Sequence, residues 1–288
     1  MSRRGWVLFA LMSVIWGVPY LLIKVADTGV SVPVLVFARV AVGGAVLLPV
    51  AIRRGQLRLL TARWRWVALF AVVEMMLPWA LLSDAERRLT SSLTGLLIAA
   101  VPIIVLVLAR ITGGPERLTV VRWAGLLAGL SGVALLAGPQ LAGGRAWPII
   151  EVVLVALCYA TGPLIANRKL GDLSGLGVTA VCLAAATVVY APAAALTWPA
   201  AVPSAQVLGS LAALGVLCTA LAFVLFFQLI AEVGPNRATV ITYFNPAVAI
   251  VVGSLLLNEP ITLAMLAGFA LLAVGSYVGT RRRAPAPA

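Results

Sequence analysis

Nine carboxylates, three cysteines and no histidine make up almost the whole acid–base inventory of a 288-residue chain. Asp27, Asp84 and Asp172 stand alone in different connecting segments, so no aspartate pair is spaced to hold magnesium and a pyrophosphate. A serine hydrolase would want a histidine base, and none exists. No Gly-x-x-x-x-Gly-Lys phosphate loop is present. Cys158, Cys182 and Cys218 lie scattered in apolar runs, without metal-ligand spacing or the look of a disulfide framework. Catalytic residues, cofactors and metals are therefore not expected. The informative charges are two that sit inside apolar runs, Glu74 and Arg39. A carboxylate at the position of Glu74 points to a proton or substrate site, or to a structural partner for another polar group. Arg39 suits a substrate carboxylate, but an ion pair with Glu74 or a guanidinium snorkelling outward is the favoured expectation.

A second group of residues suits a cavity rather than a reaction. Trp16, Tyr20, Trp79, Tyr159, Tyr243 and Asn245 fall well inside apolar runs. Together with Arg39 and Glu74 they are the candidate cavity residues, apolar bodies with a few polar tips; plain helix packing explains any one of them equally well. Pro19, Pro78, Pro102, Pro163 and Pro246 also lie within these runs, where proline breaks a helical hydrogen bond and kinks the helix. They are candidate hinges. Glu116 and Glu259 each stand three residues before a threonine, Thr119 and Thr262, that opens an apolar run. A carboxylate there is expected to favour the N-terminus of the helix that follows.

These residues require long apolar helices to position them. The chain is 62% hydrophobic and 10% charged, whereas an average soluble domain is about a quarter charged. The apolar residues form runs of roughly 20, the length that crosses a bilayer as helix. Ten spans follow: 5–23, 33–52, 66–83, 91–110, 120–138, 147–166, 174–196, 207–229, 238–257 and 262–280. The first is too long for a signal-peptide core. The net charge of +12 has a topological cause. With the N-terminus cytoplasmic, the inner segments hold sixteen of the 21 basic residues and the outer ones only Lys24, Arg87, Arg88 and Arg145. Such a bias orients a membrane protein and makes a nucleic-acid partner unnecessary. Trp64, Trp66, Trp123, Trp147 and Trp198 mark the interfacial belt.

The chain also repeats itself. Glu116, Thr119, Gly125 and Gly132 recur as Glu259, Thr262, Gly268 and Gly275, at an offset of 143 residues. Pro49 and Pro192 share that offset, as do Trp16 and Tyr159; Pro19 with Pro163, and Pro102 with Pro246, differ by 144. Each half holds five spans. An odd number turns the second half upside down relative to the first, an architecture of secondary transporters.

Trp16-Gly17, Phe37-Ala38-Arg39, the Glu116 motif and the series Thr219-Ala220, Gly234, Tyr243-Phe244-Asn245-Pro246, Gly253, Glu259, Thr262, Gly268, Gly275 resemble the EamA family of the drug/metabolite transporter superfamily. The resemblance covers nearly the whole chain. It implies ten helices, an inner-membrane location and movement of small organic metabolites, often outward, with amino acids among the cargo of some members. The segment Glu74 to Trp79 departs from the general pattern and suggests a subgroup with its own substrate.

The expected fold is an all-α polytopic membrane protein of ten helices in two inverted five-helix repeats, residues 1–143 and 144–280, with a basic Pro-Ala tail at 281–288 and both termini cytoplasmic. The expected function is export of small organic solutes, amino acids or other amphipathic molecules, by alternating access. The expected partners are the solute, the bilayer and protons, the chain acting as a monomer in a bacterial inner membrane. An intramembrane enzyme and a non-transporting membrane subunit are the alternatives.

Overall fold

A computed structural model describes residues 1–57, 60–111 and 119–280. Glu116 and the 281–288 tail lie outside the described residues. Among those described, the regular structure is helical throughout. Among the described residues nine helices are long and apolar enough to cross a membrane: α1 Arg3–Ala26, α2 Val32–Arg53, α3 Thr61–Glu86, α4 Ser91–Leu108, α5 Val120–Ala142, α6 Ala146–Leu170, α7 Gly175–Leu196, α8 Ala205–Val233 and α9 Val240–Leu257. A further apolar helix, α10, follows at Leu263–Thr280.

The helices start where the sequence supplies a hydroxyl. Ser2, Ser31, Thr90, Thr119, Ser174 and Ser204 each accept a hydrogen bond from a backbone amide three residues on, which satisfies one of the donors a helix start leaves open. Thr262 does the same for Met265 at 3.2 Å.

Each helix of the first half packs against one of the second: α1 on α8, α2 on α7, α3 on α6, α4 on α9 and α5 on α10. Glycines set the closest crossing. A Cβ at Gly275 would lie 2.5 Å from the Gly129 nitrogen, and one at Gly132 would lie 2.8 Å from the Gly268 carbonyl. Small residues let the α5 and α10 backbones touch, the way membrane helices gain packing where no hydrophobic drive acts between them. Contacts between connections sort the bundle into two ends. At one, the Ser2 hydroxyl donates to Glu232, and Arg63 pairs with Asp172 at 2.5 Å. At the other, Ser31 meets Thr197 at 2.7 Å, Arg87 approaches Asp27 at 3.6 Å and Arg88 reaches Glu151 at 3.5 Å. The five expected belt tryptophans are all exposed at helix ends.

Four of the five candidate hinge prolines mark breaks rather than mid-helix kinks. Pro19, Pro78 and Pro246 begin the second piece of an interrupted helix, and Pro102 follows a turn at Ala99–Ala100. The missing proline amide costs nothing in a first helical turn, so the chain interrupts the helix just before it. Pro163, like Pro49, Pro139 and Pro192, sits inside a continuous helix, and a π-turn, Ala166–Leu170, follows it. Two further π-turns, Val72–Met76 in α3 and Val216–Leu221 in α8, fall at equivalent places of the two halves, 144 residues apart. A 3-10 turn, Thr239–Tyr243, precedes Pro246.

Candidate functional site

Arg39 is the centre of the site. It enters from α2, is 6% exposed, and donates from Nε to the Thr219 hydroxyl of α8 at 3.1 Å. Its guanidinium carbon lies 3.7 Å from the ring centroid of Trp79, on α3. Thr219 in turn donates to the Leu214 carbonyl at 2.8 Å. That carbonyl is five residues back, so the wide π-turn offers it to the side chain. The expected ion pair with Glu74 is absent among the described residues, and a buried guanidinium does not snorkel. Stacking and one hydrogen bond position the cation, and among the described residues its two Nη nitrogens donate no hydrogen bond. A planar fork held flat on an indole and open at its tip suits a carboxylate or a phosphate.

Tyr20 of α1 and Tyr159 of α6 face Arg39 within electrostatic reach, and Trp79 meets the Tyr159 hydroxyl. Tyr20 is buried, its ring edge against Gly95 of α4. Four of the expected cavity residues, Arg39, Trp79, Tyr20 and Tyr159, thus converge from α1, α2, α3 and α6.

The others lie elsewhere. Glu74 sits on the α3 π-turn, and its carboxylate rests on Gly162 of α6, where a Cβ would collide with it. Its Oε2 is buried without a hydrogen bond. Trp16 meets Phe226 of α8 at a tilt and Phe223 edge-on, at centroid distances of 4.7 and 5.9 Å. Asn245 serves the backbone: its amide nitrogen reaches the Ser13 and Ile241 carbonyls at 3.2 and 3.0 Å. The break before Pro19 frees the Ser13 carbonyl, because the Gly17 amide turns to Val14 instead. Tyr243 ends the 3-10 turn nearby, partly buried.

Glu259 does not serve the helix that follows it. Its two carboxylate oxygens accept from the amides and hydroxyls of Ser91 and Ser92 at the start of α4, at 2.5 to 3.0 Å, while Thr262 caps α10. Burial raises the Glu259 carboxyl, but the hydrogen bonds from Ser92 and Ser91 outweigh it and leave its pKa below the ordinary carboxylate value.

Sequence reasoning passed over Thr219 as a site residue, and with it Ser83, Glu86 and Asp27. The signal for two of them was present, since Trp79, Ser83 and Glu86 recur at i, i+4 and i+7, one face of a helix.

The family model for EamA-like transporters matches residues 3–138 and again 146–280. The chain belongs to the EamA-like transporter family. This EamA-like chain is 29% identical to a probable terminal-alkyne amino-acid exporter of Streptantibioticus cattleyicolor, covering 100% of this chain and 98% of that protein. It is 26% identical to the uncharacterized transporter YvbV of Bacillus subtilis, over 98% and 94% of the two chains. It is 27% identical to the uncharacterized inner membrane transporter YedA of Escherichia coli, over 88% and 83%. One solved crystal structure shares the fold, with a TM-score of 0.69 at 21% identity, over 97% of this chain and 98% of that one. Family and helices together make the EamA-like chain a multi-pass membrane protein of the transporter class.

Proposed function

We propose that the protein is a secondary transporter that exports small organic solutes carrying a carboxylate, amino acids and kindred amphipathic metabolites among them, across a bacterial inner membrane. Its two halves, 1–143 and 144–280, are inverted repeats that rock about a central site, and both termini face the cytoplasm. The two-fold pattern of helix pairs supports this, as do the π-turns of α3 and α8 and the proline-led second pieces of α4 and α9, which recur at the repeat offset. The arginine bias supports the orientation, and the exporter from Streptantibioticus supports the direction and the cargo. Breaks at Pro19, Pro78, Pro102 and Pro246 give each half places to bend.

The observation that carries the reading is the Arg39 fork, buried on Trp79 among four helices with its tip unused. A membrane protein tolerates such a cation where it has a task. The test is solute flux into proteoliposomes of the purified protein, over a panel of amino acids and small aromatic metabolites. Saturable flux of carboxylate-bearing solutes is expected. Arg39→Gln should weaken it about 10- to 100-fold, the loss of one charged hydrogen-bonded contact of roughly 1.5–3 kcal/mol. No saturable flux for any carboxylate, or an unaltered Arg39→Gln, overturns the reading.

A further inference from the structure

Glu86 is the most thoroughly sealed charge-bearing group described. It ends α3 with 0% exposure, and neither carboxylate oxygen meets a hydrogen-bond donor. Ser83, one turn below on the same face and 1% exposed, also keeps its hydroxyl unpartnered. Trp79 and Arg39 lie beneath them. Above lies Asp27, just past the end of α1; its carboxylate oxygens are buried and lack a hydrogen bond, and among the described residues its ion pair is with Arg87 at 3.6 Å. Five buried polar atoms of Ser83, Glu86 and Asp27 thus lie unsatisfied in one region.

The charges facing Glu86 come from three neighbouring parts of the chain. Lys24 and Asp27 face it from α1, Arg39 from α2 and Glu259 from the α9–α10 connection; Tyr20 of α1 is also within reach. Asp84 and Arg87 flank it along its own chain. None neutralises it directly. Lys24 donates to the Glu86 main-chain carbonyl and, at 2.7 Å, to that of Leu89, closing the end of α3 rather than pairing with the carboxylate. Arg39 stacks on Trp79 and donates to Thr219, and among the described residues it forms no ion pair with Glu86. Arg87 turns to Asp27 and to the Val30 carbonyl at 2.9 Å, and Glu259 to Ser91 and Ser92. Glu259 and Asp27 carry the same sign as Glu86.

An ionised carboxylate without donors or water is too costly to bury, and such a group goes neutral instead. A sodium ion or a substrate ammonium would need space and oxygen ligands beside the carboxylate, and its oxygens are covered. A proton needs no space. Asp27 lies between Glu86 and the partly exposed Arg87, at the end of the bundle where α1 meets α2.

We propose that Glu86 is the proton carrier of the transport cycle, holding a proton while the ends of α1 and α3 seal it and exchanging that proton with water, by way of Asp27, when they part. With the site open to one side, the O–H bond of the Glu86 carboxyl breaks as the site hydrates and the proton passes to water there; with the site open to the other side, a proton from that water re-forms the bond, so each cycle carries one proton across the membrane. The coupling to solute rests on the transporter reading above; the protonation itself does not.

Infrared difference spectroscopy of the purified, lipid-reconstituted full-length protein, titrated from acid to alkaline pH, tests the protonation without any solute. A band from a buried protonated carboxyl should persist at neutral pH, vanish in Glu86→Gln, and shift but survive in Glu86→Asp and in Glu74→Gln. A band unchanged in Glu86→Gln, or one removed by Glu74→Gln instead, overturns the assignment, and the Glu86→Asp spectrum decides the matter if the glutamine variant does not fold. In proteoliposomes, with whichever amino acid the panel identifies, Glu86→Gln should lose gradient-driven accumulation while keeping solute exchange. Accumulation intact in that variant overturns the coupling role. Absence of flux in the unmodified protein bears on the transporter reading alone, because the infrared band remains decisive for Glu86.

Discussion

Truncating Glu259 tests how the α9–α10 connection is fastened to the bundle. In Glu259→Ala the Ser91 and Ser92 hydroxyls can turn to nearby carbonyls, but the two amides, now bonded to the carboxylate at 2.8 and 2.9 Å, lose their acceptor. A hydrogen bond to a charged acceptor contributes about 1.5–3 kcal/mol, so two amount to about 3–6 kcal/mol. Glu259 is 9% exposed, and water reaching the freed amides returns part of that, leaving about 2–4 kcal/mol. At roughly 2–4 °C per kcal/mol for a chain approaching this length, the apparent Tm in detergent should fall by about 4–16 °C. Glu259→Gln keeps one accepting oxygen and should lose about half as much. The pH dependence has a definite sign. A carboxylate whose folded pKa is depressed stabilises fully above its unfolded value and loses that contribution as pH falls through the folded one. The gap between the parent and Glu259→Ala should therefore stay constant at neutral pH and close only in strong acid. Thermal scans across pH measure both. A fall of less than about 2 °C, well below the range the two bonds imply, refutes the clamp, and so does a gap that closes near neutrality.

Gly162→Ala should destabilise the α3–α6 contact by about 1–3 kcal/mol, an overpacking cost, because its Cβ collides with the Glu74 carboxylate; Gly162→Ala with Glu74→Ala should recover most of the loss in thermal scans, and an equal loss in the double variant counts against the contact. Gly275→Ala should weaken the α5–α10 crossing by a comparable amount, about 1–3 kcal/mol, whereas Gly138→Ala, with nothing within 4 Å of its Cβ, should be neutral or stabilising by about 1 kcal/mol. Unfolding with denaturant distinguishes the two. Burial pushes the Asp27 carboxyl up to about 7, against the pull of Arg87, so its ionised form opposes folding and stability falls as pH rises toward neutrality. Asp27→Asn should gain on the parent above neutral pH, by at most about 4 kcal/mol at 1.36 kcal/mol per pKa unit and by less once Arg87 loses its partner, and should match it in acid; a variant that gains nothing at alkaline pH contradicts this.

The spans were legible because runs of apolar residues bounded by charge carry their own length scale. So was the glycine seam of α5 and α10, since its members repeat at a fixed offset. Other features depend on which helix stands opposite, and a one-dimensional pattern does not contain that. The run of charge from Asp84 to Arg88 reads as a solvated loop, so the third span was expected to end at residue 83; in the structure Lys24 and Asp27 cover the end of α3, and the helix continues to Glu86. Arg39 and Glu74 looked like partners because they are opposite charges in apolar runs, yet Trp79 and Thr219 engage the arginine. Glu259 stood where it would serve α10, but the first turn of α4 lies closer to it. The prolines were legible as interruptions; that they open the second piece of a helix follows from the turns and π-turns before them.

The pairing of helices across the halves also dictates an order of birth. As the second half emerges, α6 arrives first and covers α3; α7 then covers α2, and α8 covers α1. Only afterwards do α9 and α10 close over α4 and α5. The first five helices must wait in the bilayer with their mates unsynthesised, and the α5 glycine ridge stays bare until the last segment leaves the ribosome. A chain cut short after α5 lacks the second-half partner of every one of its helices, so quality control in the cell would meet the damage from such a premature stop codon as an uncovered glycine ridge.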